Sequence, residues 1–200
     1  MSPPESGGWF KNEIKELDQL KGMKIRFLGI GAKIMKRIGM EPMLLSYKDV
    51  VPALEKGRIS AVEIGAPHND IGVGFHKILK HNYYPGWFQP TFPIELILNK
   101  NEWNQLSVTA REIIKTSCEK FYLSSLIKLT SFQRDAMKKM KKDGVEYEQW
   151  KPQHLKRFKK IWKDIAKEVA DKDSLFAEVY KSHKDFRKKY AIWGDRAYLK

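Results

Sequence analysis

The stretch Met23-Lys24-Ile25-Arg26-Phe27-Leu28-Gly29-Ile30-Gly31 decides the fold. Apolar and basic residues alternate over residues 23–28, as they do in a strand with one buried face. The glycines then interrupt the strand, and residues 32–38 have the pattern of a short helix that ends at Gly39. The residues alone leave two interpretations of Arg26 open: a carboxylate-binding group at the edge of a sheet, or an ordinary exposed strand residue.

The same alternation of strand and helix continues on the C-terminal side of this stretch. Residues 43–45 and 59–64 are predicted strands, and residues 49–56 and 67–79 are predicted helices. Strand, helix, strand, helix, strand in this order predicts an α/β fold with a largely parallel sheet.

The second half of the chain has a different pattern. Residues 94–98 and 145–150 are predicted strands, and Pro152 opens a helix to residue 170, followed by one that Asp173 caps and that runs to residue 190. Between the two strands, Ser107 caps a helical pattern that continues to Lys142, which corresponds to roughly 50 Å at 1.5 Å per residue. A helix of that length, or two in sequence, is long enough to cross between two lobes.

Composition sets the broad class of protein. The chain has 200 residues, of which 42% are hydrophobic and 12% aromatic, and 38 basic residues outweigh 24 acidic ones to give a net charge of +14. The apolar content is typical of a folded protein. The charge raises the alternative of a basic nucleic-acid-binding module, although lysines between apolar residues on helices favour solvated helix faces. The single cysteine, Cys118, excludes an internal disulfide, and its apolar-periodic surroundings predict a buried thiol.

No constellation of residues predicts an enzyme. The five histidines lack metal-ligand spacing, and the chain contains neither a GxSxG nucleophile turn nor a CxxC pair. Gly29-Ile30-Gly31 follows a strand, but Ile34 stands where a dinucleotide loop needs its third glycine, so a plain strand-to-helix turn is favoured.

Two further segments could form a binding site. In residues 61–70 a strand ends and a helix begins, where α/β sheets place their ligands. Residues 84–90 form an aromatic, turn-rich loop that either walls an apolar pocket or simply packs against the fold.

Several ordered blocks resemble a known family. They are Gly7-Gly8-Trp9-Phe10, residues 17–26, residues 51–57, Ala61-Val62-Glu63, Pro67-His68-Asn69-Asp70 and Tyr83-Tyr84-Pro85-Gly86-Trp87. In this order they are similar to the DctP-type solute-binding proteins of tripartite ATP-independent periplasmic (TRAP) transporters. They look most like the branch that takes up 2-oxo acids and related organic acids.

The resemblance implies a set of site residues. Arg26 matches the family's carboxylate-binding arginine, and Glu63, Ile64, Asn69, Trp87 and Phe88 are the other implied substrate contacts. Ile64 stands where many relatives have a large aromatic residue, which would widen the pocket. Gln89 stands where relatives with a bound cation have a carboxylate, so a sodium ion is implied here only with a neutral amide oxygen at this position.

The resemblance also implies the architecture and partners. The family fold is a periplasmic-binding-protein-like (type II) pair of α/β lobes with a long helix crossing between them, and here the first lobe is largely missing, which predicts a truncated form. Residues 1–86 would begin the second lobe, residues 87–130 would contribute a strand and the long helix to the first lobe and hinge, and residues 131–200 would return to the second lobe. The implied partners are a small carboxylate, the membrane subunits of the transporter and a second copy of the chain, but no nucleic acid, and the implied location is the periplasm.

Overall fold

The computed structural model describes residues 1–197. Its first half and the segment after the long helix form a six-stranded mixed sheet. The strands are β1 (Trp9–Phe10), β2 (Lys24–Arg26), β3 (Glu41–Met43), β4 (Ala61–Val62), β5 (His81–Tyr84) and β6 (Glu146–Gln149). Their order in the sheet is β3-β2-β4-β1-β5-β6. Strand β2 is parallel to β3 and β4, and β5 is parallel to β6, whereas β1 is antiparallel to both of its neighbours.

Seven α-helices and two short 3₁₀ helices connect and extend the sheet within residues 1–197. The α-helices are α1 (Gly29–Ile38), α2 (Tyr47–Glu55), α3 (Pro67–Val73), α4 (Lys100–Gln105), α5 (Val108–Lys142), α6 (Pro152–Ala170) and α7 (Ser174–Ala197), and the 3₁₀ helices are Leu17–Leu20 and Phe75–Lys77. The chain divides into one compact unit of Met1–Pro152, which contains the sheet, and a second of Gln153–Lys200, which contains most of α6 and all of α7. None of the helices in residues 1–197 is both long enough and apolar enough to span a lipid bilayer.

The core of the first unit lies around the short central strand β1. Trp9 and Phe10 are buried, and each makes an edge-to-face aromatic contact, Trp9 with Phe75 at 5.3 Å and Phe10 with Tyr83 at 5.4 Å between ring centroids. Such pairs add to the stabilisation from burying the rings themselves. A strand of only two residues is therefore held by its side chains as well as by its backbone ladder.

The predicted alternation of strand and helix over residues 23–79 is confirmed, although the strands are shorter than their sequence patterns, and the sheet also contains β1 and β5, which the sequence analysis did not predict. The predicted strand 59–64 forms a ladder only at Ala61–Val62, and α1 begins at Gly29 rather than at residue 32. The long helix is confirmed, since Ser107 Oγ accepts the Ala110 backbone N–H at 3.1 Å and α5 then continues to Lys142. The cap of the last helix is also confirmed, because the Asp173 carboxylate accepts the Phe176 backbone N–H at 2.9 Å.

Two expectations are wrong, and both concern apolar residues that the fold leaves exposed. Residues 94–98 form no strand, because no other part of residues 1–197 supplies a neighbour for a ladder, and Ile97 is 87% exposed. Cys118 is exposed on α5 rather than buried. It lines an open groove of about 430 Å³ with Leu96, Leu98 and Trp103. Helical periodicity reveals an apolar face, but it does not reveal whether anything packs on that face.

Helix α5 supplies a matched pair of positions that tests this division between packed and exposed apolar residues. Met140 is fully buried in the hydrophobic core, whereas Ile127 on the same helix is 64% exposed. We expect Met140→Ala to lower the free energy of unfolding by about 2–5 kcal/mol, because it leaves a cavity. Ile127→Ala should change it by less than about 0.5 kcal/mol. Urea denaturation of both variants measures the difference, and equal losses would contradict the burial described for α5.

Candidate functional site

The Arg26 side chain lies at the carboxyl edge of the three parallel strands. It is the last residue of β2 and is only 4% exposed. Its Nη1 donates to the backbone carbonyl of Glu63, which follows β4, and its Nε donates at 3.3 Å to the carbonyl of Leu45, which follows β3. The guanidinium therefore bridges the ends of both neighbouring strands. The interpretation of Arg26 as an ordinary exposed strand residue is wrong.

Two buried carboxyl groups face this guanidinium. The Glu63 Oε2 lies 3.8 Å from Arg26 Nη1, and the Glu63 and Glu5 carboxyls are hydrogen-bonded to each other. Burial, reinforced by the Glu5 charge, raises the pKa of Glu63 to about 9. Burial also raises the pKa of Glu5 to about 7. Because both pKa values are raised, the two groups carry less negative charge near neutral pH than two ionised carboxylates would, and they balance the charge of Arg26 less.

The N-terminal segment positions Glu5, a residue that the sequence analysis missed. The Ser6 N–H donates at 3.0 Å to the carbonyl of Gly65, and the Gly7 N–H donates at 2.6 Å to the carbonyl of Tyr83. A side chain on Gly86 would overlap the Glu5 backbone carbonyl, so glycine is needed at position 86 for this close approach. The one signal in the sequence was that Glu5 stands just before the Gly-Gly-Trp-Phe block.

Asp70, rather than its neighbour Asn69, is the buried residue of the Pro-His-Asn-Asp motif. Asp70 is completely buried and accepts hydrogen bonds from Trp9 Nε1 at 2.7 Å and from Ser6 Oγ at 3.5 Å. Burial raises its pKa well above the ordinary range. Asn69 is exposed on the first turn of α3, next to Gly65. The motif thus fixes the segment that carries Glu5.

Aromatic residues form one side of the Arg26 region. Phe27, which directly follows Arg26, is buried and contacts Phe88 at 4.8 Å and Trp87 at 6.1 Å between ring centroids. Trp87 and Phe88 are half-buried and pack edge to face at 5.2 Å. A side chain on Gly31 would overlap the Phe27 ring, which explains why this first turn of α1 has a glycine. The predicted contacts at 87 and 88 therefore lie beside the guanidinium strand.

Ile64 and Tyr47 differ in their burial and in their contact with the Arg26 guanidinium. Ile64 is buried and packs in the hydrophobic core. Tyr47, at the start of α2, is exposed and its ring centroid lies 5.6 Å from the Arg26 guanidinium carbon. This is a cation–π distance. Nothing in the sequence pattern marked Tyr47, because a residue at a helix start has no periodic signal that reports a neighbour on another strand.

Gln89 joins the same cluster through Glu5. Its Nε2 donates to Glu5 Oε1 at 3.3 Å, and its backbone carbonyl accepts the Glu5 N–H at 3.5 Å. Across residues 1–197, no group of three His, Cys, Asp or Glu residues is gathered in a way that would hold a metal ion. The two carboxyls and one amide at this place nevertheless offer oxygen atoms, the ligands that sodium and calcium prefer.

Comparison with known proteins assigns the family. The model of the bacterial extracellular solute-binding proteins, family 7 (DctP), matches residues 6–173. The chain belongs to this family. It is 34% identical over 189 residues to a monocarboxylate 2-oxoacid-binding periplasmic protein of Nostoc sp. strain PCC 7120, covering 94% of this chain and 52% of the relative.

Solved structures of TRAP transporter solute-binding proteins have the same fold as this chain. A protein from Colwellia psychrerythraea with bound calcium and pyruvate has a TM-score of 0.88 and 27% identity, covering 98% of this chain and 61% of its own. A protein from Bordetella bronchiseptica, a dimer with calcium and picolinate, has a TM-score of 0.87 and 26% identity, covering 95% and 56%. The chain thus spans a little more than half the length of these relatives.

These comparisons confirm the family and the type II binding-protein fold expected from the sequence. They also confirm that the chain is not an enzyme, because the family and the relatives named above are solute-binding proteins. The same assignment favours a solute receptor over a nucleic-acid-binding module as the explanation of the basic composition.

The buried carboxyls predict a particular pH dependence of stability. The folded-state pKa values of Glu63 and Glu5, about 9 and about 7, lie above their ordinary value of 4.5. The folded protein therefore binds more protons than the unfolded chain in this range, and the free energy of unfolding should fall as the pH rises from about 5 to about 9. Glu63→Gln replaces the neutral acid with a neutral amide, so the variant should lose less stability between about pH 7 and pH 9.

Urea midpoints at several pH values measure this effect. Glu55→Gln, a change at an exposed position on α2, is the matched control and should keep the wild-type pH profile. A Glu63→Gln profile that follows the wild type throughout would show that Glu63 is ionised in the folded protein.

Proposed function

We propose that this chain is a solute-capturing component of a TRAP transporter and that it binds a small organic acid, a 2-oxo monocarboxylate, for secondary uptake. One observation carries the proposal: a buried guanidinium lies at the carboxyl edge of a parallel sheet, beside the aromatic residues Trp87 and Phe88. A ligand carboxylate would balance the positive charge of the Arg26 guanidinium and would accept charge-assisted hydrogen bonds from it.

The surroundings of Arg26 support a ligand with one carboxylate and a small apolar body. Trp87 and Phe88 would cover the apolar part, and Tyr47 would close the side toward solvent. Glu63, Ile64 and Asn69 remain proposed contacts, Ile64 as the position that sets pocket width. The relatives named above bind monocarboxylate 2-oxo acids, pyruvate or picolinate, each of which has a single carboxylate, and this supports the same ligand class.

A bound cation is the second part of the proposal. The residues fit a hard cation such as sodium or calcium, because the Glu5 carboxyl lies against both the Glu63 carboxyl and the Gln89 amide, and carboxylate and amide oxygens are ligands for such ions. A cation there would neutralise the two carboxyls and leave the Arg26 charge for the ligand. Glu5 would supply the negative charge that the amide of Gln89 does not.

The same assignment supports our proposals for location, architecture and partners. The family and the Nostoc relative are extracellular or periplasmic, and we place this chain in the periplasm, where it would deliver its ligand to the membrane subunits of the transporter. Residues 1–86 would belong to the second lobe, residues 87–130 would contribute to the first lobe and hinge, and residues 131–200 would return to the second lobe. Residues 198–200 lie outside the described residues. Two copies of the chain would also associate.

Ligand binding tests the role of Arg26 directly. We expect the chain to bind pyruvate with saturation in a calorimetric titration, and Arg26→Ala to weaken binding roughly 10- to 100-fold, which corresponds to the loss of a charge-assisted hydrogen bond of about 1.5–3 kcal/mol. Arg58→Ala is the control, because Arg58 is exposed. Arg26→Lys keeps the charge without the planar fork and should give an intermediate affinity.

Circular dichroism of each variant separates lost binding from lost folding. Equal pyruvate affinity in the wild type and in a folded Arg26→Ala variant would remove Arg26 from the site. Saturable binding of duplex DNA in place of any 2-oxo acid would instead favour the nucleic-acid alternative.

Cation binding tests the role of Glu5. We expect Glu5→Gln to weaken calcium binding by about tenfold or more, because it removes a charged oxygen ligand, whereas Glu102→Gln at an exposed position on α4 should leave binding unchanged. Calorimetric titration with calcium, and separately with sodium, measures both. Unchanged calcium affinity in Glu5→Gln would place any cation away from this cluster.

A further inference from the structure

Helix α6 has a row of exposed lysines on the side opposite its buried face. The residues of the buried face recur at every third or fourth position, as His154, Phe158, Ile161 and Ile165. Four exposed lysines recur with the same spacing and are called the lysine row: Lys156, Lys160, Lys163 and Lys167. The two sets are offset by two residues, or about 200° around a helix of 3.6 residues per turn, so they lie on opposite sides.

The lysine row is straight and dense in positive charge. From Lys156 to Lys167 it extends for about 16 Å along the helix axis at 1.5 Å per residue. Arg157 and Lys159 flank it, and Asp164 is the one acidic residue in the range 156–167. This surface of α6 is therefore a continuous cationic strip rather than a mixture of both signs.

Within residues 1–197 no carboxylate forms an ion pair with any member of the lysine row. Lysines at the end of α5 differ, since Lys139 pairs with Asp143 at 3.1 Å and Lys141 pairs with Glu146. Like charges three or four residues apart on a helix repel one another, so the lysine row weakens α6 instead of stabilising it. The lysine row therefore suits a surface that supplies negative charge from outside the chain.

The composition of the lysine row indicates which kind of anionic surface it fits. The centres of protein–protein interfaces are depleted in lysine and enriched in arginine and aromatic side chains, which the row lacks. Base edges in nucleic acid are read chiefly by bidentate side chains such as arginine, asparagine and glutamine, and the row has none of these. Lysine is a compact, hydrated point charge, and several lysines on one helix face are typical of attraction to the diffuse negative charge of an anionic lipid surface.

We propose that the lysine row of α6 is a docking surface for an anionic lipid bilayer, which it contacts through the phosphate groups of the lipid headgroups. The row contains no apolar side chain, so α6 would lie on the headgroups without entering the acyl region. Such contact would hold the chain near the membrane subunits of the transporter. The inference rests on the proposed periplasmic location and does not depend on ligand capture at Arg26.

Co-sedimentation of the 200-residue chain with lipid vesicles tests this docking surface. Phosphatidylcholine vesicles with about 30% phosphatidylglycerol should bind the wild type at about 50 mM salt and release it at about 500 mM, because salt screens the attraction. Vesicles of phosphatidylcholine alone should not bind it. A wild type that ignores the anionic vesicles, or that binds both kinds equally, would overturn the proposal.

Two fourfold variants separate the lysine row from the net charge of the chain. Replacing the row, in Lys156→Gln/Lys160→Gln/Lys163→Gln/Lys167→Gln, should lower the partition coefficient on anionic vesicles at least about 100-fold. The control removes four exposed lysines outside α6, in Lys11→Gln/Lys36→Gln/Lys56→Gln/Lys128→Gln, and should stay within about threefold of the wild type. Equal losses in the two variants would show that binding follows net charge alone, and the lysine row would not be the docking surface.

Circular dichroism, pyruvate titration and DNA binding keep the outcomes distinct. Glutamine preserves helix propensity, so both variants should keep the wild-type helix content, and both should keep its pyruvate affinity because neither set of lysines contacts Arg26. A wild type that binds anionic vesicles but no pyruvate would contradict ligand capture alone. Binding of a DNA duplex that depends on the lysine row, with no binding to anionic vesicles, would assign the row to nucleic acid and overturn the lipid surface.

Discussion

The Arg26 guanidinium is the group on which the arrangement of this sheet edge depends. It donates to the backbone carbonyls of Leu45 and Glu63, and so it joins the ends of β3 and β4 across β2. A charged group buried to this extent is costly unless its hydrogen bonds are made and its charge is balanced. The backbone carbonyls supply the hydrogen bonds. The raised pKa values of Glu5 and Glu63 leave the balance of charge incomplete.

Protonated acids explain how so many carboxyl groups can share one buried place. The pKa values of Glu5, Glu63 and Asp70 are all raised, with burial as the largest cause in each case. A neutral carboxyl can donate a hydrogen bond to a charged one and costs far less to bury. Ligand and cation binding would therefore exchange with protons in this cluster, because each would bring in the charge that the acids lack.

Several exposed apolar surfaces lie away from Arg26. Residues 94–98, the first turns of α5 and helix α7 expose side chains that a folded protein ordinarily covers. The chain spans 52% of its Nostoc relative and 56–61% of the matched solved structures, so the relatives contain parts that this chain does not match.

The sequence by itself determined the alternation of strand and helix over residues 23–79, the long helix with its Ser107 cap, the family and the position of Arg26, since these depend on local periodicity, capping and contiguous motifs. Only the tertiary structure decided that Glu5 lies beside Glu63, that Tyr47 covers the guanidinium, and that residues 94–98 have no strand to pair with. The physical reason is the same for all three. Burial, raised pKa values and ladder pairing are properties of neighbours that are distant along the chain, and a local pattern contains no information about which distant residues become neighbours.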